Sequence, residues 1–411
     1  MAPNCIEGDE LVRNYEIGKV TTFRDKVFMR SVPLKVGDKS IPGLTKSIAG
    51  PVDSKTISHL ETNSKSMINE MRLRLTLPLL RNIDNDEDKR KAFFRNNTKF
   101  LEKSYLNMFV IDLVLEQNER LEKEDINYLN YILTYELNGI YVMPIVRYNG
   151  MAGRKESSEE YEKFVRRMLE SKNEMTPGDK LRVGISIPAG FPGPYYNGLF
   201  SLYEKEEKKS SFVLMDFANR RYTDLGFLGN IKRVMQFFQK KGKEEGEEED
   251  YEEYYLYGFN VKPYKRAGED IRLAEDMCLI EAGFNSIGHQ YGKRMRLPKK
   301  LLESFRPTWR SSRTFWPDDY KYHNLEGQEE KSSWDDWVDL VYGNGTSVSI
   351  PVPNNKSRVL VKRYNFFSFN RELSALTEGI VKSDETLLKD KFKNKDIPDD
   401  ITKRFGKLKT A

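Results

Sequence analysis

The chain predicts an α/β protein, a (β/α)8 TIM-like barrel with an N-terminal β hairpin and C-terminal additions, and three observations carry that prediction. Apolar runs suited to buried strands begin at residues 108, 139, 181, 212, 254 and 283. Successive starts lie ~30 to 40 residues apart, room for a strand, a helix and two short loops, which favours parallel strands with right-handed crossovers. The runs end in polar side chains, Asn260 and Lys262 after one and Ser286 and His289 after the next, at the strand edge where α/β proteins gather ligands. No glycine-rich phosphate loop follows the early strands, so an open doubly wound sheet is the second choice of architecture.

The 411 residues exceed the ~250 of a simple barrel. Residues 1–50 are expected to hold the hairpin and first strand, residues 51–296 the barrel, and residues 297–411 an extension packed on it with a basic tail. Charged residues make up 32% and mean hydropathy is −0.68, but 12% aromatics imply a charged surface over a packed core, not disorder. Abundant Lys and Glu with two cysteines suits a heat-adapted protein or a lysine-rich mesophile equally. A net charge of +5 and a pI of 8.7 permit a nucleic-acid partner without requiring one. Cys5 and Cys278 are too scattered for a disulfide framework or a thiolate metal site. The amino terminus has no charged n-region followed by an apolar segment, and no apolar run reaches the ~18 residues of a membrane span. A cytoplasmic protein without a membrane partner is expected.

In chain order, Val27 to Val36 and Lys39 to Ile48 flank Gly37-Asp38, a hairpin signal. Gly43 to Gly50 would be the first strand of the larger sheet. Ser54 to Arg81 is rich in helix formers, with Met67, Met71, Leu73 and Leu75 as an imperfect apolar face, and Leu75 to Leu80 fits strand or helix. Met108 to Leu115 reads as a strand, and Leu121 to Leu137 as a helix whose Ile126, Leu129, Ile132, Leu133 and Leu137 share a face. A strand from Gly139 to Val146, closed by Arg147, a helix from Ser157 to Leu169 and a strand from Leu181 to Ile187 follow. Pro194 is suited to opening the next helix, Phe212 to Phe217 is a strand, and Thr223 or Asp224 can cap the helix after it. Lys241 to Glu253 reads as a solvated charged loop. Beyond Arg296 the alternation fades: Trp334 to Tyr342 looks helical, Ser347 to Val361 carries a strand, Arg363 to Val381 is a helix, and Lys382 to Ala411 is a lysine-rich tail.

Asp112 interrupts the apolar strand FVIDLVLEQ, and Asp216 repeats the pattern in FVLMDFANRR. A carboxylate in such a strand must reach the strand end, pair, or take up a proton. Two of them in one pocket would suit glycosidic-bond chemistry, while capping of the following loop is the structural alternative. His289 follows a strand at the same edge, where it is either a ligand-binding group or a surface histidine. Arg220 and Arg221, Lys262 with Lys265 and Arg266, and Lys293 with Arg294 follow three separate strands and would line a phosphate-contacting rim if those strands are neighbours. Tyr195, Tyr196, Tyr222, Tyr264 and Tyr291 on that edge could stack bases or pack beneath loops. The three histidines have no ligand spacing, so no metal is expected, and no cofactor is expected either.

The layout resembles the tRNA-guanine transglycosylase barrel family, with an early hairpin, a parallel barrel and a late helix beginning at Tyr364-Asn365-Phe366-Phe367 and continuing through FNRELSALTEGI. That family ends a strand in Asp-Ser-Gly-Gly-aromatic-Gln, and here Asp112-Leu-Val-Leu-Glu-Gln117 keeps the Asp and Gln at that spacing without the two glycines. The family's nucleophile pattern, Gly-Val-Asp-Leu-Phe-Asp, reads Gly283-Phe-Asn-Ser-Ile-Gly288 here, and its Cys-x-Cys-x-x-Cys zinc cluster has no counterpart. The resemblance implies the fold, with Asp112 as acid or base, Gln117 as reader of a base edge, and the nucleophile either Asp216 or absent; Asn260, Lys262 and His289 are assigned to the substrate site by their place at the strand ends. It implies base exchange in tRNA or DNA. An inactive barrel that binds nucleic acid or a protein, and a barrel hydrolase or lyase for a small sugar or phosphate, are the alternatives.

Overall fold

The computed structural model describes residues 15–25, 27–48, 67–98, 105–137, 139–149, 155–175, 182–206, 211–222, 226–244, 254–263, 271–291, 313–324, 337, 339, 355–393, 395 and 398–404. The first five strands, β1 (Tyr15–Ile17), β2 (Thr21–Arg24), β3 (Phe28–Ser31), β4 (Leu34–Val36) and β5 (Lys39–Ile41), form two small antiparallel sheets, β1-β4-β5 and β2-β3. Val36 faces Lys39 across the Gly37-Asp38 turn, where Gly37 takes φ 61°, a value a side chain would resist. The expected hairpin is present with shorter arms. Tyr15, Val32, Leu34 and Ile41 share an apolar cluster with Ile68, Leu106 and Phe212, and the Phe212 amide donates to the Tyr15 hydroxyl at 3.2 Å. The amino-terminal sheet thus covers the ends at which the parallel strands begin.

Those strands are β6 (Thr45–Lys46), β7 (Ile68–Thr76), β8 (Leu106–Leu115), β9 (Ile145–Tyr148), β10 (Ile185–Pro188), β11 (Ser211–Arg220) and β12 (Tyr254–Val261), followed after the short β13 (Arg272–Leu273) by β14 (Ser286–Ile287). Two parallel sheets result, β7-β8-β9 and β10-β11-β12-β14-β6. Isolated parallel bridges, Ile48 with Asn69 and Val142 with Gly184, connect them, through Glu70 N to Ile48 O (2.8 Å) and Met143 N to Gly184 O (2.9 Å). Both faces are buried, as parallel strands require. Leu106, Met108, Val110, Leu214, Tyr255, Tyr257 and Phe259 pack on one side, and the alternate Phe109, Ile111, Leu113, Val213, Met215, Phe217 and Leu256 pack on the other.

The helices join that second face. α1 (Leu77–Asn85) and α2 (Glu87–Asn97) follow β7, α3 (Lys123–Tyr131) runs into a π-helical turn at Ile132–Glu136, and α4 (Lys155–Met175) precedes β10. A 3-10 turn at Gly193–Tyr195 leads into α5 (Tyr196–Glu206), and α6 (Phe227–Glu244) and α7 (Met277–Glu281) precede β12 and β14. β15 (Arg313–Trp316) and β16 (Lys321–Asn324) form an antiparallel sheet with β13. The chain closes with α8 (Asn355–Val381), α9 (Glu385–Phe392) and α10 (Asp399–Arg404). α8 lies beside β6: Asn370 Oδ1 accepts from Lys46 N at 2.8 Å and Thr377 Oγ1 from Leu44 N at 3.0 Å. No helix among the described residues is long and apolar enough to cross a membrane.

Several expected boundaries move for local reasons. Met71, Leu73 and Leu75 belong to strand β7, not to a helix: their spacing of two buries them on one face and leaves Arg74 exposed. The helix starts only at Leu77, where Thr76 Oγ1 accepts from Leu79 N at 3.4 Å. The strand expected from Gly139 is reduced to bridges at Ile140 and Val142 before β9, because Pro144 has no amide to donate, and Arg147 lies within β9 instead of closing it. α6 continues through residues 241–244, and residues 355–361, expected as strand, are helical. Thr223, Asp224 and most of Trp334 to Tyr342 fall outside the described residues.

Candidate active site

Alternation along β8 puts Asp112 on the face of Leu106, Met108 and Val110, one turn of pleat beyond the apolar layer. The same alternation brings Arg72 from β7, Arg147 from β9 and Asp216 from β11 to that level, near the strands' C-terminal ends. Asp112 is fully buried and Asp216 nearly so. Arg147 binds both: Nε donates to Asp112 Oδ1 (2.5 Å), Nη1 to Asp216 Oδ2 (2.9 Å) and Nη2 to Asp216 Oδ1 (3.2 Å). Arg72 holds the second Asp112 oxygen, with Nε at 2.7 Å from Oδ2. Two carboxylates and two guanidinia are thus paired with one another where there is little contact with water. Burial works against the charge on Arg147, but Asp216 and Asp112 outweigh it and hold its pKa above the ordinary arginine value.

Asp216 is anchored by its own loop as well. Its Oδ1 accepts from Ala218 N at 3.0 Å, and β11 bulges between Asp216 and Arg220, with Ala218 at φ 51° and Asn219 at φ 60°. An alanine in the left-handed region costs on the order of 1 kcal/mol, and bulges of this kind re-aim a side chain next to functional sites.

A third buried acid, Glu70, lies two residues before Arg72. Glu70 Oε2 accepts a short hydrogen bond from the Tyr257 hydroxyl, His289 N approaches Oε1 at 3.3 Å, and the Tyr291 side chain lies beside the same carboxyl. Burial pushes the Glu70 pKa up to about 7, against the opposing hydrogen bonds and the Arg72 charge. Gly288 makes this fit possible: a Cβ there would run into Glu70 Oε2. Tyr291 connects the two groups. Its ring lies under the Arg72 guanidinium, 4.9 Å from centroid to carbon, and against Phe259 at 5.6 Å and His289 at 5.7 Å. The contiguous set is Tyr257, Glu70, Tyr291, Arg72, Asp112, Arg147 and Asp216.

Of the residues singled out in the sequence, Asp112 and Asp216 meet at Arg147. His289 lies beside Glu70 and Tyr291, and Asn260, at φ 54°, accepts from Tyr291 N through Oδ1 at 2.9 Å. Burial, with Lys362 and Lys46 nearby, lowers the His289 pKa to about 4 and keeps its ring neutral. Gln117 is apart from this group, exposed in the turn beyond β8, where its carbonyl accepts from Arg120 Nη1 at 3.1 Å. Arg220 and Lys262 are adjacent at the strand ends, joined by Lys262 N to Arg220 O at 3.0 Å, and Arg221 pairs with Glu275 at 3.2 Å. Lys265, Arg266, Lys293 and Arg294 lie outside the described residues. Sequence reasoning passed over Glu70, Arg72 and Tyr257. The signal for the first two was the alternation in INEMRLRLT, where polar residues 70, 72 and 74 interleave with Met71, Leu73 and Leu75.

Among the described residues no three His, Cys, Asp or Glu side chains converge as metal ligands. Compared with protein families and with curated proteins, the chain matches none of either.

Proposed function

We propose that the parallel strands close into a (β/α)8 barrel and that the chain is an enzyme acting at its C-terminal mouth on a nucleobase, or on the glycosidic bond that carries one. The barrel is supported by the order of pairing: each parallel strand meets the next, and β14 returns to β6. Active sites of such barrels gather at the end where the charged network lies. The observation that carries the catalytic reading is Arg147, which brings Asp112 and Asp216 within the span of one guanidinium.

In this reading Asp216 is the nucleophile. Its carboxylate attacks the anomeric carbon, the C–N bond breaks with its electron pair going to the departing base, and an incoming base then displaces the carboxylate. Asp216 keeps lone pairs free beyond those given to Arg147 and Ala218. Asp112 has both oxygens held by guanidinia, so it anchors Arg147 and Arg72 instead of exchanging protons. Tyr291 and the neutral His289, both partly exposed, supply flat, uncharged surfaces on which a base can stack. Arg220 and Lys262 at the rim are the cations suited to phosphate contact.

The test is incorporation of radiolabelled guanine, adenine or cytosine into unfractionated tRNA and into single-stranded DNA. Incorporation of one base is expected, with Asp216→Asn lowering it at least ~100-fold. The completeness of the Asp112 pairing favours a second reading, a binding protein without catalysis. Retained nucleic-acid binding with no incorporation, and with the same binding by Asp216→Asn, would select it.

A further inference from the structure

The exchange chemistry leaves one requirement unmet: the base departs with an electron pair and needs a proton, while Asp216 is occupied as the nucleophile and Asp112 is held by two arginines. We propose that Glu70, through the hydroxyl of Tyr291, is the proton relay of this site, giving a proton to the ring nitrogen of the departing heterocycle and taking one back from the incoming one. The inference rests on the base-exchange reading and adds the group that moves the proton.

Geometry supports it from several sides. Glu70 is 1% exposed, and the groups facing it come from three elements: Arg72 from its own strand, Tyr257 from β12, and His289 and Tyr291 after β14. Tyr257 is buried and Tyr291 is only partly so. Tyr291 is therefore the conduit from the interior carboxyl to the strand ends, where its ring meets Arg72 of the Asp112 pair. Its hydroxyl can accept and donate in one movement, so a proton leaving Glu70 is replaced at the far side without either tyrosine becoming ionised. The balance closes within a turnover: one proton goes from the Glu70 carboxyl through Tyr291 to the departing nitrogen, and one returns from the N–H of the incoming base. Glu70 titrates at about 7, where both of its forms are accessible at neutral pH. His289 cannot substitute, being unprotonated down to about pH 4.

The experiment measures incorporation of the labelled base from pH 5.5 to 9 for the full chain and for Tyr291→Phe, Glu70→Gln and Asp216→Asn. The expected result is a wild-type kcat that falls as pH rises through about 7. Tyr291→Phe and Glu70→Gln should lose about 100-fold in kcat with KM little changed and with that limb of the profile flattened. Tyr291→Phe decides the matter should Glu70→Gln fold poorly, since it removes one oxygen from a partly exposed residue. Wild-type rate and an unchanged profile in Tyr291→Phe overturn the relay while leaving the exchange reading standing. A wild-type protein that incorporates no base overturns the exchange reading, and the relay with it.

Discussion

Arg147 has three nitrogens engaged with two carboxylates from two different strands. A lysine could neutralise one of these acids, but its single ammonium cannot present the planar fork that spans both. Arg147→Met leaves Asp112 with Arg72 alone and Asp216 with no cation among the contacts described above. Breaking a buried pair by removing one partner costs about 3–5 kcal/mol, because a charge is left in a poor solvent. Arg147→Met is expected to lower stability by that amount at pH 7 and Arg147→Lys by less, as read from urea unfolding midpoints. Equal midpoints for Arg147→Met and the wild type would show that the charges are solvated.

Among the elements, the helices after β7 and β8 are tied together by one side chain. Asp125 Oδ2 accepts from Glu122 N at 2.8 Å at the start of α3, and both of its oxygens bind Arg81 of α1 at 2.9 and 2.8 Å. Burial raises the Asp125 pKa, but Arg81 and the Glu122 amide outweigh it and bring it below the usual carboxylate range. Arg81 is about half exposed, so its ion pair contributes little and the cap carries most of the effect. Asp125→Ala, which removes its half of the capping box at Glu122 N, is expected to cost about 1 kcal/mol, and Arg81→Ala less, both measured by urea unfolding. β7 shows the same division of labour within one strand: Met71, Leu73 and Leu75 bind it to the helices, which frees Glu70 and Arg72 on the other face for the site.

For the whole molecule, buried acids set the response to pH. Burial raises the pKa of Glu70 to about 7 and of Glu281 to about 8, from ordinary glutamate values of 4.5. The folded chain keeps these protons where the unfolded chain has released them. Stability therefore falls as pH rises above the ordinary glutamate range, and the fall is complete once pH passes about 8. His289 acts oppositely, since its lowered pKa removes stability only as pH drops below the ordinary histidine value of 6.5. Between pH 6.5 and 8.5 the acids dominate. Unfolding midpoints are expected to fall across this window, and to fall less in Glu70→Gln with Glu281→Gln; an identical slope in that double variant would remove both groups from the account.

Local sequence was enough to locate β8, β11 and β12, because largely apolar runs bounded by polar residues have one economical use, as strands buried on both faces. It marked Asp112 and Asp216 for the same reason: a charge inside such a run must be accommodated somewhere. It misread β7, where three apolar residues at alternate positions resemble part of a helical face until a neighbouring strand supplies the hydrogen bonds. Sequence raised Asp112 and Asp216 as a pair but could not show which arginines and tyrosines they and Glu70 would meet. Arg147 lies 35 residues from Asp112 and 69 from Asp216, and Tyr257 lies 187 from Glu70. No periodicity spans such distances. The register between parallel strands brings these side chains together, and the burial that results, not the residue types, makes Glu70 a group that titrates near neutrality.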